Sequence, residues 1–450
     1  MANDLHTPEA PATDAPATDA PDPRLPAIAE RVLGLMRRQG FDAAQVSVSH
    51  RHRHEVCVAH NEPSLLRGNE SFTLQLVGLL DGRRATTEGS DIGDEALAAS
   101  VRGLWDGVAS APQDEANAVS SGQRARTVRG PVPDGPADLA ALADAMGGLL
   151  AWRARETPTM MIEEALAGLS RLQSCTLTSG GTELACDLRW FDAEVFGLAR
   201  DGGRSSSFNF AGGRCDCLAD RPVVQRFGIG EMMQTLTRQV HAQPIGGRFV
   251  GSVVLTPRAT ASLLGWLLGQ LADQALIDGS SVYRQRVGQV VASPLLTLRS
   301  RFDAPGVRPQ SADAFATPPV TLLTDGRLDR LTPSLYGSRK TGLPHVSLAA
   351  DGWEVAAGAT ALDALIAGVP RGALVDRLSM GRPAANGDFS GVIKNSAVID
   401  GGRVGTALSE TMISGNVAQM LRDVQAVSTE RIDTGDWLLP WLRVDGLHFS

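Results

Sequence analysis

Lysine is almost missing from this chain. Two residues, Lys340 and Lys394, stand within a basic total of 42 against 50 acidic residues, giving a formal charge of −8 over 450 residues. Phosphate backbones are bound through a basic excess, so this balance argues against nucleic acid as the main partner. Cysteine is scarce too. The five residues at 57, 175, 186, 215 and 217 are odd in number, and Cys215-Asp216-Cys217 has no second pair at zinc-finger spacing. No disulfide framework of the small secreted kind follows from them, and free thiols in a reducing cytoplasm are expected. No apolar run reaches the roughly 20 residues of a membrane span. The most apolar, SLLGWLLGQLADQALI at 262–277, is interrupted by Gln270, Asp273 and Gln274, so no membrane partner is expected. The opening MANDLHTPEAPATDAPATDAPDP has neither the basic nor the apolar block of a signal peptide, and its composition predicts a disordered tail over 1–23.

Catalytic signatures are also lacking. There is no G-x-S-x-G elbow, no P-loop and no complete dinucleotide fingerprint. FGIGEMM has two of the needed glycines and reads as a loop, while YGSRKTG carries Arg339 where a phosphate loop has glycine before Lys340. Neither H-E-x-x-H nor H-E-x-x-x-H occurs, so the usual machinery of a zinc hydrolase is absent.

The residues present, 43% hydrophobic and 20% charged, are those of a soluble globular protein too long for one ordinary core. Two domains are expected, over 24–245 and 246–450, divided at HAQPIGGR. In the first, Leu25, Ile28, Ala29, Val32, Leu35 and Met36 follow a helical stripe that Gly40 stops. SFTLQLVGLLDGRRATT alternates into Asp81-Gly82, a pair suited to a tight hairpin. Asp94 reads as the cap of a helix with Leu97, Val101, Leu104 and Trp105 on its inner face. Residues 113–135 read as a loop, 137–152 and 159–169 as helices, 171–178, 183–190 and 192–199 as short strands, DGGRSSSFNFAGGRCDC as exposed turns and 220–240 as a helix. The second domain opens with the buried strand FVGSVVLTP and an apolar helix from Pro257 to Leu276. Hairpins at Asp325-Gly326 and Gly401-Gly402, a helix near 415–426 and a final strand LPWLRVDGLHF complete it. The fold class is α+β: a helix and antiparallel-sheet domain followed by a sheet-dominated one.

Half of the eight histidines fall in SVSHRHRHEVCVAH, residues 47–60. On a strand, Val46, Val48, His50, His52, His54, Val56, Val58 and His60 share one face, and Ser47, Ser49, Arg51, Arg53, Glu55 and Cys57 the other. Three imidazoles at i, i+2 and i+4 could hold zinc. They stand roughly 7 Å apart along a strand, however, too far for all three to reach one ion without a bend. The plainer reading is a partly solvated strand face, and a metal site at His50, His52 and His54 stays open.

GSSVYRQRVGQVVASPLLTL at 279–298, TDGRLDRLTPSLYGSRKTG at 324–342, GDFSGVIKNSAVIDGGRVG at 387–405 and ETMISGNVAQMLRDV at 410–424 resemble the TldD/PmbA family. The likeness extends to the N-terminal strand and hairpin. The resemblance implies a heterodimeric zinc peptidase acting on unfolded or precursor peptides. In it a TldD-type subunit carries H-E-x-x-x-H and a late cysteine, and the TldE or PmbA subunit lacks those ligands. Counted back from Gly279, the motif positions fall here on Leu264, Gly265 and Gly269, none able to bind metal or move a proton, and no cysteine follows Cys217. The departures point to the TldE/PmbA side, with no catalytic residue, cofactor or metal in this chain and zinc in a TldD-type partner.

Asp388, Ser390, Lys394 and Asn395 sit in a glycine-rich setting and are candidates for a substrate groove, with ordinary turn chemistry as the competing reading. Arg339 and Lys340 could hold a substrate carboxylate or an interface acid, or be solvated charges. Two further functions remain open from sequence: a homo-oligomeric peptide-binding scaffold without a protease partner, and a metalloenzyme built on the histidine row.

Overall fold

Alternation of apolar and polar residues over 43–59 dictates an extended chain with two unlike faces. In the computed structural model of the chain, which describes residues 22–131 and 136–450, that stretch is the central strand of the first sheet. The expected tail over 1–23 lies outside the described residues except for its last two. The first half runs α1 (Arg24–Gln39), β1 (Ala43–Ala59), β2 (Glu62–Leu80), β3 (Arg83–Gly89), α2 (Asp94–Ser110), β4 (Arg124–Arg129), α3 (Pro136–Glu156), β5 (Met160–Thr178), β6 (Glu183–Asp201), β7 (Arg204–Ser205), β8 (Asn209–Cys215) and α4 (Ile229–Gln239). Among the described residues its sheet has eight strands, in the order β3-β2-β1-β5-β6-β4, with β7 and β8 also on β6. All pairs are antiparallel except β4 with β6.

Helices cover one face of this sheet in two groups. α1 and α2 bury Val32, Met36, Leu97 and Leu104 over Val46 and Val48 of β1. α3 and α4 bury Leu142, Leu149, Met233 and Leu236 over Val58 of the same strand and Ile162 and Ala167 of β5. Asp81 and Gly82 both have positive φ, 49° and 70°, the backbone of the expected tight hairpin. Gly40 closes α1 in the left-handed conformation, as its position predicts.

Five readings of the first half are corrected. Residues 159–169 are not a helix but the first half of β5, whose bulge between Ile162 and Glu164 resets the alternation. Pairing on both sides, to β1 and β6, outweighs a local spacing that a helix would also satisfy. The short runs at 183–190 and 192–199 join into one strand, β6. Within the loop expected at 113–135, β4 is a strand with no buried residue, so no apolar alternation marks it. Part of DGGRSSSFNFAGGRCDC is strand β8. Asp94 is the first helical residue of α2, after Gly93, and pairs with Arg31 instead of capping.

The second half runs β9 (Phe249–Leu255), α5 (Pro257–Leu271), α6 (Asp273–Ile277), β10 (Leu298–Ser300), β11 (Thr321–Thr324), β12 (Arg327–Leu328), α7 (Leu335–Thr341), β13 (Trp353–Val355), α8 (Leu362–Ala367), β14 (Arg371–Val375), β15 (Arg377–Ser379), β16 (Asp388–Lys394), β17 (Ser396–Asp400), β18 (Arg403–Leu408), β19 (Thr411–Asn416), α9 (Val417–Arg422), β20 (Val424–Asp433) and β21 (Trp437–Phe449). Its main sheet order is β12-β11-β10-β13-β21-β9-β14-β17-β18, with β9 at the centre, parallel to β14 and antiparallel to β21. Helix α5 lies on it with Leu263, Leu264, Leu267 and Leu271 fully buried against residues such as Val253 and Val444. The apolar helix expected to reach Leu276 breaks at Ala272 into α5 and α6. No helix among the described residues is long and apolar enough to cross a membrane.

Candidate functional site

Strand β8 connects the two sheets. Its amide of Arg214 donates to the carbonyl of Thr434 at 3.0 Å, across to the second half. Gly213 permits this approach, since a Cβ there would stand 2.6 Å from the Thr434 oxygen. Because Arg214 bonds away from β6, the residues of equal parity, Phe210 and Gly212, also turn their backbone groups outward. The Phe210 amide is accepted by the Asn209 side chain at 3.0 Å. The amide and carbonyl of Gly212 therefore face a cleft between the halves.

That cleft has two connected parts sharing Phe210, Gly212, Thr434 and Asp436. One, about 680 Å³, is largely apolar and lies between α4, the start of α5 and strand β21, which carries Trp437 and Trp441. In its wall Arg258 donates to Asn209 Oδ1 and its guanidinium lies 4.7 Å over the Phe210 ring. Asn209 donates to Asp376 at 2.9 Å, and Thr256 to the other oxygen of Asp376 at 3.1 Å. Burial pushes the Arg258 guanidinium below its ordinary pKa.

The other part, about 790 Å³, is polar and takes its floor from the odd-numbered face of β1. Arg53 forms a bidentate pair with Asp192 at 2.8 and 2.7 Å and also reaches Glu55. Burial opposes the Arg53 charge, but those carboxylates outweigh it and raise its pKa. Arg51 lies 5.6 Å over Trp190, and its pKa is lowered by burial and by the neighbouring Arg53 charge. Arg214 meets Asp351 at 3.2 Å. The result is an apolar slot continuing into a polar basin that sets four arginines, Arg51, Arg53, Arg214 and Arg308, among four carboxylates, Asp192, Glu194, Asp351 and Asp436, beside an outward-facing strand backbone.

Of the residues singled out from sequence, Asn395 lines this cleft. Its φ is 50°, it is 4% exposed, and its Oδ1 has no hydrogen-bond partner. The others lie elsewhere. Asp388 accepts from Asn416 and Asn386 at the end of β16, which holds its carboxyl below the usual range, and Ser390 is exposed on the same strand. Lys394 pairs with Glu410 at 2.7 Å. Lys340 pairs with Asp114 at 2.9 Å and Arg339 reaches the carbonyls of Glu115 and Asn117, so α7 fastens to the loop before β4. Leu264 is buried, while Gly265 and Gly269 face open space on the far side of α5. None of the three offers a donor, so a zinc ion does not fit at these positions.

Sequence reasoning missed Asn209, Phe210, Arg258, Asp376, Arg51 and Arg214. Arg51 and Arg53 did carry a signal, as charges alternating on a strand long enough to be central. Asn209 and Phe210 were hidden in a glycine-rich segment read as turns. The even-numbered face of β1 is the helix-covered one, so the histidine row is not uniformly solvated. His50 is buried, His52 half-buried and His54 exposed.

Residues 248–450 match the family model described as the PmbA/TldA metallopeptidase C-terminal domain. Over 215 residues the chain is 24% identical to the metalloprotease PmbA of Escherichia coli O157:H7, an alignment covering 43% of this chain and 45% of that protein. The match thus spans a little under half the length of that relative. The crystal structure of TldE from Thermococcus kodakarensis is similar with a TM-score of 0.78 at 17% identity, over 94% of this chain and 100% of that one. A crystal structure from Bacteroides thetaiotaomicron, described as that of a proposed modulator of DNA gyrase, gives 0.77 at 21% identity over 94% and 98%. A third, from Thermotoga maritima and described in the same way, gives 0.73 at 14% over 94% and 100%. At these identities the structural likeness establishes the fold.

Proposed function

We propose, from the premise that this chain belongs to the TldD/PmbA family, that it is the TldE/PmbA-like, non-catalytic subunit of a heterodimer with a TldD-type zinc peptidase. The observation that carries this reading is helix α5. Where the resemblance places two histidines and a glutamate, the chain has Leu264, Gly265 and Gly269, a buried hydrocarbon and two bare backbone positions. Zinc in the partner would supply an activated water. The residues of this chain bind and orient.

An extended peptide can add to the outward edge of β8 through the Gly212 amide and carbonyl, a mode that reads backbone and tolerates many side chains. Phe210, Trp437 and Trp441 offer apolar contact along the slot, and the basin, with arginines and carboxylates in equal number, offers hydrogen-bonding partners of both kinds to a peptide backbone. The five cysteines are free, which supports a reducing, cytoplasmic setting. The net charge of −8 favours a protein or peptide partner over nucleic acid.

The test is a pull-down of the full chain from its native host, with mass determination and zinc content on the same sample. Copurification with a TldD-type chain, and hydrolysis of an unfolded peptide by the pair but by neither alone, are expected. Full activity of this chain by itself in chelator would overturn the reading, and a pure homodimer would replace it with a peptide-binding scaffold.

A further inference from the structure

We infer that His50, His52 and Glu70 form a binding site for one divalent ion of zinc's class, on the face of the first sheet turned away from the cleft. Among the described residues, this is the one grouping of three or more histidine, cysteine or carboxylate side chains whose ligand atoms come together, all within 4.8 Å of one another.

Strand geometry explains why these three meet. His50 and His52 share a face of β1, and His52 stands directly across from Glu70 on β2, so the carboxylate comes up beside the pair of imidazoles. His54, on the same row, is outside the grouping, so the three-histidine arrangement left open from the sequence does not assemble. The third donor comes from the neighbouring strand, where sequence spacing gives no hint of it.

The site is built rather than incidental. The His50 ring is 2% exposed, stacked on Phe72 with centroids 4.1 Å apart and planes at 7°, and it abuts the His52 ring at 4.1 Å. Its Nε2 lies 2.6 Å from Glu70 Oε1. On the opposite side Nδ1 has Asp22 Oδ2 at 2.8 Å, an ion-pair approach that makes no aligned hydrogen bond. A carboxylate behind the non-coordinating nitrogen is how proteins orient a metal-bound imidazole. Two imidazoles and one carboxylate suit zinc, with water completing the coordination. Because Asp22 and Arg24 open α1, and Arg24 sits 4.8 Å over Phe72, the ion would fasten the start of that helix to the β1–β2 hairpin. The role is structural and independent of the peptidase reading.

The experiment uses the full chain, stripped with chelator, loaded with zinc, dialysed free of excess and analysed for metal content, with cobalt(II) as a spectroscopic substitute. Expected are one ion per chain in wild type and in His54→Ala, its loss in His52→Ala and in Glu70→Gln, and about 10- to 100-fold weaker binding in Asp22→Asn. Zinc should raise the thermal midpoint of wild type but not of Glu70→Gln, and cobalt should give visible bands of low coordination number in wild type and in His54→Ala but not in His52→Ala or Glu70→Gln. If His52→Ala does not fold, Glu70→Gln and the cobalt spectrum decide. Wild type that retains no ion, or retention unchanged in Glu70→Gln, overturns the proposal.

Discussion

Lys340 of α7 and Asp114 of the loop before β4 join the two halves of the chain, with Nζ 2.9 Å from Oδ2 and the Tyr336 hydroxyl donating to the same oxygen at 2.8 Å. These bonds, the Lys340 contact first, bring the Asp114 pKa down to about 2. A carboxylate lowered in the folded state contributes stability above its ordinary value of 3.8, and that contribution is lost as pH falls toward about 2. Thermal midpoints of wild type and Asp114→Asn should differ by a constant, small and salt-sensitive amount above pH ~4 and converge near pH ~2. A gap that persists unchanged at the acid end would show that Asp114 does not act through its charge.

Helix α5 offers a paired test of its two faces. Leu264→Ala should cost about 2–5 kcal/mol, since a fully buried side chain leaves a cavity. Gly265→Ala should be neutral or stabilise by about 0.4–1 kcal/mol, because no atom lies within 4 Å of the added methyl and the change restricts the unfolded chain. Urea titration of both variants reads the contrast. Equal costs would mean that α5 is turned differently on the sheet.

The floor of the basin should be stiff. Arg53→Ala leaves Asp192 and the 4%-exposed Glu55 without their shared cation, and losing one partner of a buried pair costs about 3–5 kcal/mol. Removing the acid as well, in Arg53→Met with Asp192→Leu, should recover part of that loss in a double-mutant cycle. Additive costs in the cycle would show no coupling.

Phe210 should matter for capture and hardly for folding. It is 46% exposed at the edge of β8, beneath Arg258. Phe210→Ala is expected to leave the thermal midpoint nearly unchanged and to weaken binding of an unfolded peptide about tenfold, the equivalent of roughly 1.4 kcal/mol. Fluorescence anisotropy with a labelled extended peptide measures it, and unchanged affinity would remove β8 from the binding surface.

The fold was legible where local pattern and tertiary demand agree. The α1 stripe, the Asp81-Gly82 and Asp325-Gly326 turns and the alternation of β1 all announced themselves. β5 did not, because Met160 to Leu169 fits either period and its identity is settled by two neighbours far away in sequence. β4 did not, because RARTVR leaves one face exposed and the other half-buried, with no buried apolar row to mark it. The cleft was the least legible part. Phe210, Arg258 and Trp437 lie on separate elements, and only the pairing of β8 with β6 and its bond to Thr434 bring them to one surface. Lys340 stood out for rarity and proved to be a fastener between halves.

That bond from Arg214 to Thr434 has one more effect. It ties the strand at one wall of the trough to the other half of the chain, which holds that edge of the opening at a fixed distance. On the proposed reading, a guest polypeptide would have to arrive as a single open thread with its own amides unclaimed. A folded domain, whose strands are already spoken for, would bring nothing that Gly212 could grasp. Selection of unravelled chains would then be a matter of admission by shape, with no need to recognise any particular side chain.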